Sequence, residues 1–298
     1  MPAPTFFIVG APKCGTTSLN DYLRQHPDIF MPERKELHYF GSDLRFVKSE
    51  RPTREEYLAN FAAAKPGQIA GEASVWYLFS EMAAKEIQAF CPAAKIIIML
   101  RNPADMMYSL HSQYLFESNE NLADFAEALA AEEERSQGRR LPPNSNYREG
   151  LLYRRVASFA QQVRRYLDVF PREQVMIIDF DDFSRDTARV YAEVLQFLGV
   201  DPSFRCEFEV RNPNKQVRSR FLHSFLNNPG TLAILLGRLI PKSFRRSLVS
   251  RLKSANSPAA PRPPLSPELR AELNREFAAE VEELGVLAGR DFSKWLKG

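Results

Sequence analysis

Three apolar runs, each followed by a helical pattern, limit most strongly what this chain can fold into. They are TFFIVG (5–10), AKIIIMLR (94–101) and QVMIIDF (174–180). Runs of this length without polar alternation belong to strands covered on both faces. Repeated strand-to-helix units predict an α/β fold with a parallel sheet in three layers. APKCGTT leads from the first run into a helix with early apolar positions Leu19, Tyr22 and Leu23. A second helix is expected from near Pro103, and TARVYAEVLQFLGV (187–200) predicts a third that stops near Gly199. Residues 121–140 read as an exposed helix ending in a loop, and 147–167 as one long outer helix.

The chain has 298 residues, 44% apolar and 26% charged, enough to bury the core of one large domain spanning 1–298. Its formal charge of +3 hides an uneven distribution. Arg211 to Lys253 holds ten of the 40 basic residues and none of the 37 acids, which leaves 30 basic against 37 acidic elsewhere. We therefore expect residues 211–257 to form a basic helical cap or lid on an acidic body. A proline-rich stretch, Pro258 to Pro267, separates it from a C-terminal helical segment, 265–298, in which 267–285 reads as one acidic helix.

Cys14, Cys91 and Cys206 form no paired framework, so a reducing, cytoplasmic setting is expected. Histidines at 26, 38, 111 and 223 form no compact ligand motif. The opening apolar run is too short for a signal-peptide core, and Arg238 interrupts GTLAILLGRLI (230–240) well below spanning length. Within the basic segment, Leu235, Leu236, Leu239 and Ile240 leave peripheral membrane contact open, while Arg245, Arg246 and Arg251 suit an acidic acceptor or carrier protein. No motif for specific nucleic-acid recognition accompanies these cations.

Gly10 to Thr17 has the glycine separation of a Walker A loop, but threonine stands where lysine is usual and the lysine lies upstream at Lys13. Backbone N–H groups, the following helix N-terminus and the Thr16 and Thr17 hydroxyls can surround an anionic oxygen cluster, and Lys13 can neutralise a bridging or leaving oxygen. Arg101 closes the second run, where open parallel sheets place ligand groups, and Ser109 follows in the next helix. The pair suits a second, terminal phosphate. Asp179, closing the third run, is the one acid placed to hold Mg²⁺ and keeps a kinase-like or other NTP-dependent reading open. A noncatalytic anion-binding module is a third reading.

The combined pattern resembles the PAPS-dependent sulfotransferases, especially bacterial members and carbohydrate (heparan-type) sulfotransferase domains. It rests on FIVGAPKCGTTSLNDYLRQHP, KELHYF, GEASVWYL, IIIMLRNPADMMYSLHSQY and GRDFSKWL. The resemblance implies a P-loop-like α/β sheet and 3′-phosphoadenosine 5′-phosphosulfate (PAPS) as donor. It further implies 3′,5′-ADP as product and transfer to a hydroxyl or amine, small-molecule or carrier-linked. No metal is needed by that transfer.

Residue by residue, the resemblance places Lys13, Cys14, Gly15, Thr16, Thr17 and Ser18 around the phosphosulfate. Arg101 and Ser109 go to the 3′-phosphate, with Arg218 as a further contact. It makes Glu36 the base that takes the acceptor proton, with His38 its local rival. If KELHYF is extended, Glu36 and His38 share a face, whereas a helical turn separates them. Glu72 is expected to orient Lys13 or the acceptor. Ala73 departs from the pattern, since many glycan-acting relatives carry lysine there. Trp76 and Tyr77 suit either an apolar platform or the core, and His26-Pro27 reads as a helix end.

Overall fold

The computed structural model describes residues 2–208 and 262–297. Five parallel strands form its sheet: β1 (Phe6–Gly10), β2 (Ile29–Phe30), β3 (Ile69–Ala73), β4 (Lys95–Leu100) and β5 (Val175–Asp179), in the order β2-β3-β1-β4-β5. β1 is buried at every position, as is β4 from Ile96 to Leu100. Consecutive strand residues point to opposite faces, so such burial requires cover on both sides, and the expected layered α/β architecture is the one observed.

The three apolar runs became β1, β4 and β5, whereas β2 and β3 carry no such signal. β2 is two residues long, and β3 reads IAGEA, with glycine and glutamate in a strand buried from Ala70 to Ala73. Gly71 is explained by its register. It stands opposite Phe6, and a Cβ at 71 would lie 2.0 Å from the Phe6 ring.

Helices α1 (Thr16–Leu23) and α4 (Pro103–Glu117) follow β1 and β4 directly. Between β2 and β4 the chain adds α2 (Arg54–Ala59), before β3, and α3 (Ala83–Phe90), after it. Residues 121–140 give two short helices, α5 (Phe125–Ala130) and α6 (Glu132–Ser136), rather than one. The expected long helix over 147–167 is also broken, into a 3-10 turn at Glu149–Leu151, α7 (Tyr153–Ala157) and α8 (Phe159–Leu167). Leu152 and Ser158 leave helical geometry at ψ 72° and 74°. The bends let α7 pack on α4 while α8 turns to the C-terminal helix Ala278–Ala288.

After β5 come α9 (Phe180–Arg185) and α10 (Thr187–Leu198), the latter closed by Gly199 at φ 80° as expected. Residues 267–285 are two helices, not one: α11 (Pro267–Glu276) and α12 (Ala278–Ala288), with non-helical Phe277 between them. The basic segment 211–257 lies outside the described residues. Among the described residues no helix is long and apolar enough to cross a membrane.

Chain order reverses beside β1: the path goes first to β2 and β3 on one side and then to β4 and β5 on the other. Sheets of this kind bind ligands outside the carboxyl ends of the strands at that reversal. Gly71→Ala is expected to lower stability by about 1–3 kcal/mol through overpacking against Phe6, with Phe6→Leu in the same chain recovering part of the loss. Denaturant titration checks this, and an unchanged midpoint in Gly71→Ala would contradict the packing.

Candidate active site

The turn after β1 is built to expose backbone N–H groups. Lys13 and Gly15 both take left-handed conformations, φ 63° and 86°. At Gly15 there is no room for a side chain either, because a Cβ would meet the Phe180 ring at 3.0 Å and Phe183 at 3.3 Å. Helix α1 starts at Thr16 with no side-chain cap, so its first N–H groups remain available at the loop. Cys14 is buried, its thiol donates to the Pro12 carbonyl at 3.4 Å, and burial pushes its pKa up to about 12. Cys14 therefore offers an anion its backbone, not a thiolate. Ser18 sits half-buried in the first turn of α1.

Beside this loop, β4 and the C-terminal part bring two cations, Arg101 and Arg262, close to Lys13. The Arg101 guanidinium lies over the Phe180 ring, 4.7 Å from its centroid. Phe180 thus touches both the space at Gly15 and Arg101, which joins the two expected anion sites. Arg262 lies over Tyr108 at 4.9 Å and donates to Ser109 Oγ at 3.1 Å. Both Arg101 Nε and Arg262 Nε are buried without a hydrogen-bond partner. Burial lowers the pKa of Lys13, opposed by Glu117, and the charges of Arg262 and Arg101 lower it further. Positive groups that repel one another, with unsatisfied buried donors, fit a multiply charged anion.

The side of the loop facing β3 carries the carboxylates. Glu36 and His38 adopt left-handed backbone at φ 59° and 53°, so KELHYF is neither extended nor helical there. The Glu36 N–H donates to the Ala73 carbonyl at 3.0 Å, and Val75 N–H donates back to Glu36 Oε2 at 2.9 Å. Lys35 Nζ then links the candidate base to the loop. It donates to Glu36 Oε1 at 3.1 Å, Thr16 Oγ1 at 3.1 Å and Thr17 Oγ1 at 3.4 Å. Because the two hydroxyls accept from Lys35, their own protons are free to point at an anion.

His38 stacks on Phe46 with centroids 4.1 Å apart. Its Nδ1 is buried without a partner, and burial lowers its pKa.

Glu72 is 1% exposed within β3 and does not orient Lys13. Its Oε1 accepts from Ser74 Oγ at 2.8 Å and Tyr77 OH at 2.7 Å, and its Oε2 from Tyr57 OH at 2.5 Å. Tyr77 OH also accepts from the N–H groups of Tyr39 and Phe40 at 2.9 and 3.2 Å, so this buried group pins the loop that presents Glu36. Burial outweighs the three hydroxyl donors and pushes the Glu72 pKa up to about 7. Tyr77 and Trp76 are core residues. His26 behaves as a structural link: its Nδ1 accepts from Asp28 N–H and its Nε2 meets the Asp201 carbonyl, both at 3.1 Å.

Asp179 is engaged elsewhere. One oxygen caps α9 through Asp181 N–H at 3.0 Å, and the other pairs with Lys294 Nζ at 2.6 Å. Lys294 belongs to the GRDFSKWL ending, which also accepts from Asn102 Nδ2 at the Trp295 carbonyl, 2.5 Å away. Arg218 lies outside the described residues. Lys35 and Arg262 were not singled out from the sequence. For Lys35 the signal was its place directly before Glu36, while Arg262 meets Ser109 across 153 positions of chain and had none.

The family model described as "Sulfotransferase domain" matches residues 3–229. A crystal structure of a sulfotransferase from Alicyclobacillus acidocaldarius is 33% identical, with 99% of each chain covered and a TM-score of 0.75. Mouse carbohydrate sulfotransferase 15 is 29% identical over 67% of this chain and 44% of its own length. Mouse bifunctional heparan sulfate N-deacetylase/N-sulfotransferase 4 is 30% identical over 67% of this chain and 23% of its own length. The chain thus spans less than half the length of these two curated relatives.

The state of Glu72 has a thermodynamic consequence. With its pKa raised from 4.5 to about 7 on folding, its contribution is fully present below about pH 4.5 and is lost as pH rises through 7. The loss is roughly 3 kcal/mol if the whole shift is realised. Glu72→Gln, neutral throughout, is expected to flatten stability across this window. Equal pH slopes for wild type and variant in denaturant titrations would refute the neutral buried acid.

Proposed function

The chain belongs to the sulfotransferase family, and we propose that it moves a sulfuryl group from PAPS to a hydroxyl or amine acceptor by direct in-line transfer. The observation that carries the donor assignment is the joint placement of Lys13, Arg101, Ser109 and Arg262 around one space, with two buried guanidinium nitrogens lacking partners. A donor with phosphate at its 3′ position and phosphosulfate at its 5′ position has two anionic ends for two groups of cations. The loop from Lys13 to Ser18 would hold the 5′ end, and Arg101, Ser109 and Arg262 the 3′-phosphate.

In the transfer, the acceptor oxygen or nitrogen forms a bond to sulfur while the bond from sulfur to the bridging phosphate oxygen breaks. Glu36 takes the acceptor proton, and Lys13 with the loop N–H groups balances charge growing on the departing oxygen. The products are the sulfated acceptor and 3′,5′-ADP. Glu36 is favoured over His38 because its carboxylate reaches the loop hydroxyls through Lys35, whereas the His38 ring is turned onto Phe46. The competing NTP reading loses its metal-holding acid, since Asp179 is taken by the α9 cap and Lys294. Two relatives are named for carbohydrate and heparan sulfate transfer, which makes saccharide hydroxyls and amines the first acceptors to screen.

Calorimetry is expected to show binding of 3′,5′-ADP without metal and a clear preference for it over 5′-AMP. Arg101→Ala should remove most of that preference. Binding of ATP-Mg with none of 3′,5′-ADP would overturn the donor assignment. Glu36→Gln is expected to keep 3′,5′-ADP affinity within about 3-fold while slowing transfer by about 100-fold or more, the low end of general-base contributions. Turnover near the parental rate would remove Glu36 from the role.

A further inference from the structure

We infer that Lys35 is a second catalytic cation, one that contacts the oxygens of the transferring sulfuryl group rather than the phosphate left behind. The inference rests on the donor reading above and assigns a role within that same site. Lys35 Nζ occupies the gap between the loop and the base, 3.1 Å from Thr16 Oγ1, 3.4 Å from Thr17 Oγ1 and 3.1 Å from Glu36 Oε1. In an in-line reaction the leaving oxygen, sulfur and the acceptor atom lie on one line, with the loop at its first end and the base at its last. A group that touches loop and base together stands beside the middle of that line, where the three remaining sulfuryl oxygens project.

The chemistry of the ammonium agrees with this position. It has three N–H donors and no acceptor; here they go to Thr16, Thr17 and Glu36 oxygens, and the long bond to Thr17 at 3.4 Å is the one exchanged for a sulfuryl oxygen when donor binds. Its side chain is only 17% exposed, so the charge is held in place by its partners rather than by water. Lys13 sits on the other flank, near Arg101 and Arg262, where the departing phosphate oxygen and the 3′-phosphate belong. The two lysines therefore divide the anion between them: Lys13 faces the part that leaves as 3′,5′-ADP, and Lys35 the part that moves.

This division separates two ligands that differ only in the sulfuryl group. Titration of PAPS and of 3′,5′-ADP, without acceptor, into wild type, Lys35→Met and Lys35→Arg provides the test. Lys35→Met is expected to weaken PAPS by about 10-fold or more, in line with loss of a charged hydrogen bond, while 3′,5′-ADP stays within about 3-fold. Lys35→Arg, which keeps the charge, should restore most of the difference. Equal weakening of both ligands, or of neither, would overturn the assignment and leave Lys35 a structural link. Wild type binding neither ligand would instead overturn the donor reading on which the assignment stands. Thermal unfolding of each variant identifies any that lose affinity by failing to fold.

Discussion

Pairing of β1 along both edges, with β3 on one side and β4 on the other, fixes where the loop, the strand-end arginine and the candidate base meet. β1 is a fully buried strand and cannot leave its backbone hydrogen bonds unmade. The two neighbours that satisfy those bonds also end beside the turn that follows it. β4 delivers Arg101 there, and β3 delivers the Ala73 carbonyl that receives Glu36 N–H. The phosphate loop, the strand-end arginine and the candidate base are thus brought together by ladder register rather than by long-range electrostatics.

Charge is then sorted by side. On the β4 flank, Arg101, Arg262 and Lys13 accumulate positive charge, and aromatic faces at Phe180 and Tyr108 hold the two guanidinium groups in place. Toward β3, Glu72 is sealed under Tyr57 and Tyr77, while Glu36 faces the loop. The buried acid and the presented acid are only a few residues apart in space but have opposite tasks. One is held in the core by hydroxyl donors and secures the Tyr39–Phe40 backbone; the other stays partly exposed beside the loop.

What the sequence made legible follows the strength of the local signal. β1, β4 and β5 could be read because uninterrupted apolar runs have few other solutions, and the α10 stop could be read because Gly199 alone accommodates the left-handed cap without strain. β3 was hidden because its Gly71 answers to Phe6, 65 positions earlier, and its Glu72 to two tyrosines, so neither residue advertises a strand. Residues 147–167 have helical spacing throughout, yet the chain bends at Leu152 and Ser158 to serve two different neighbours. Periodicity reports one face at a time and does not record a change of partner. The loop residues of the site were readable by motif, and Arg101 and Ser109 by their place after β4. Arg262 was not, because only tertiary packing brings it to Ser109.

The departure at Ala73 gains a physical meaning from the same geometry. Its carbonyl holds Glu36 N–H, so the end of β3 positions the base through backbone alone, and the methyl side chain, 3% exposed, adds no charge. The ammonium beside Glu36 comes instead from Lys35, one residue away in the chain and anchored to both loop threonines. Lys35 thus keeps the Glu36 carboxylate paired, while Ala73 places no charge at the end of β3.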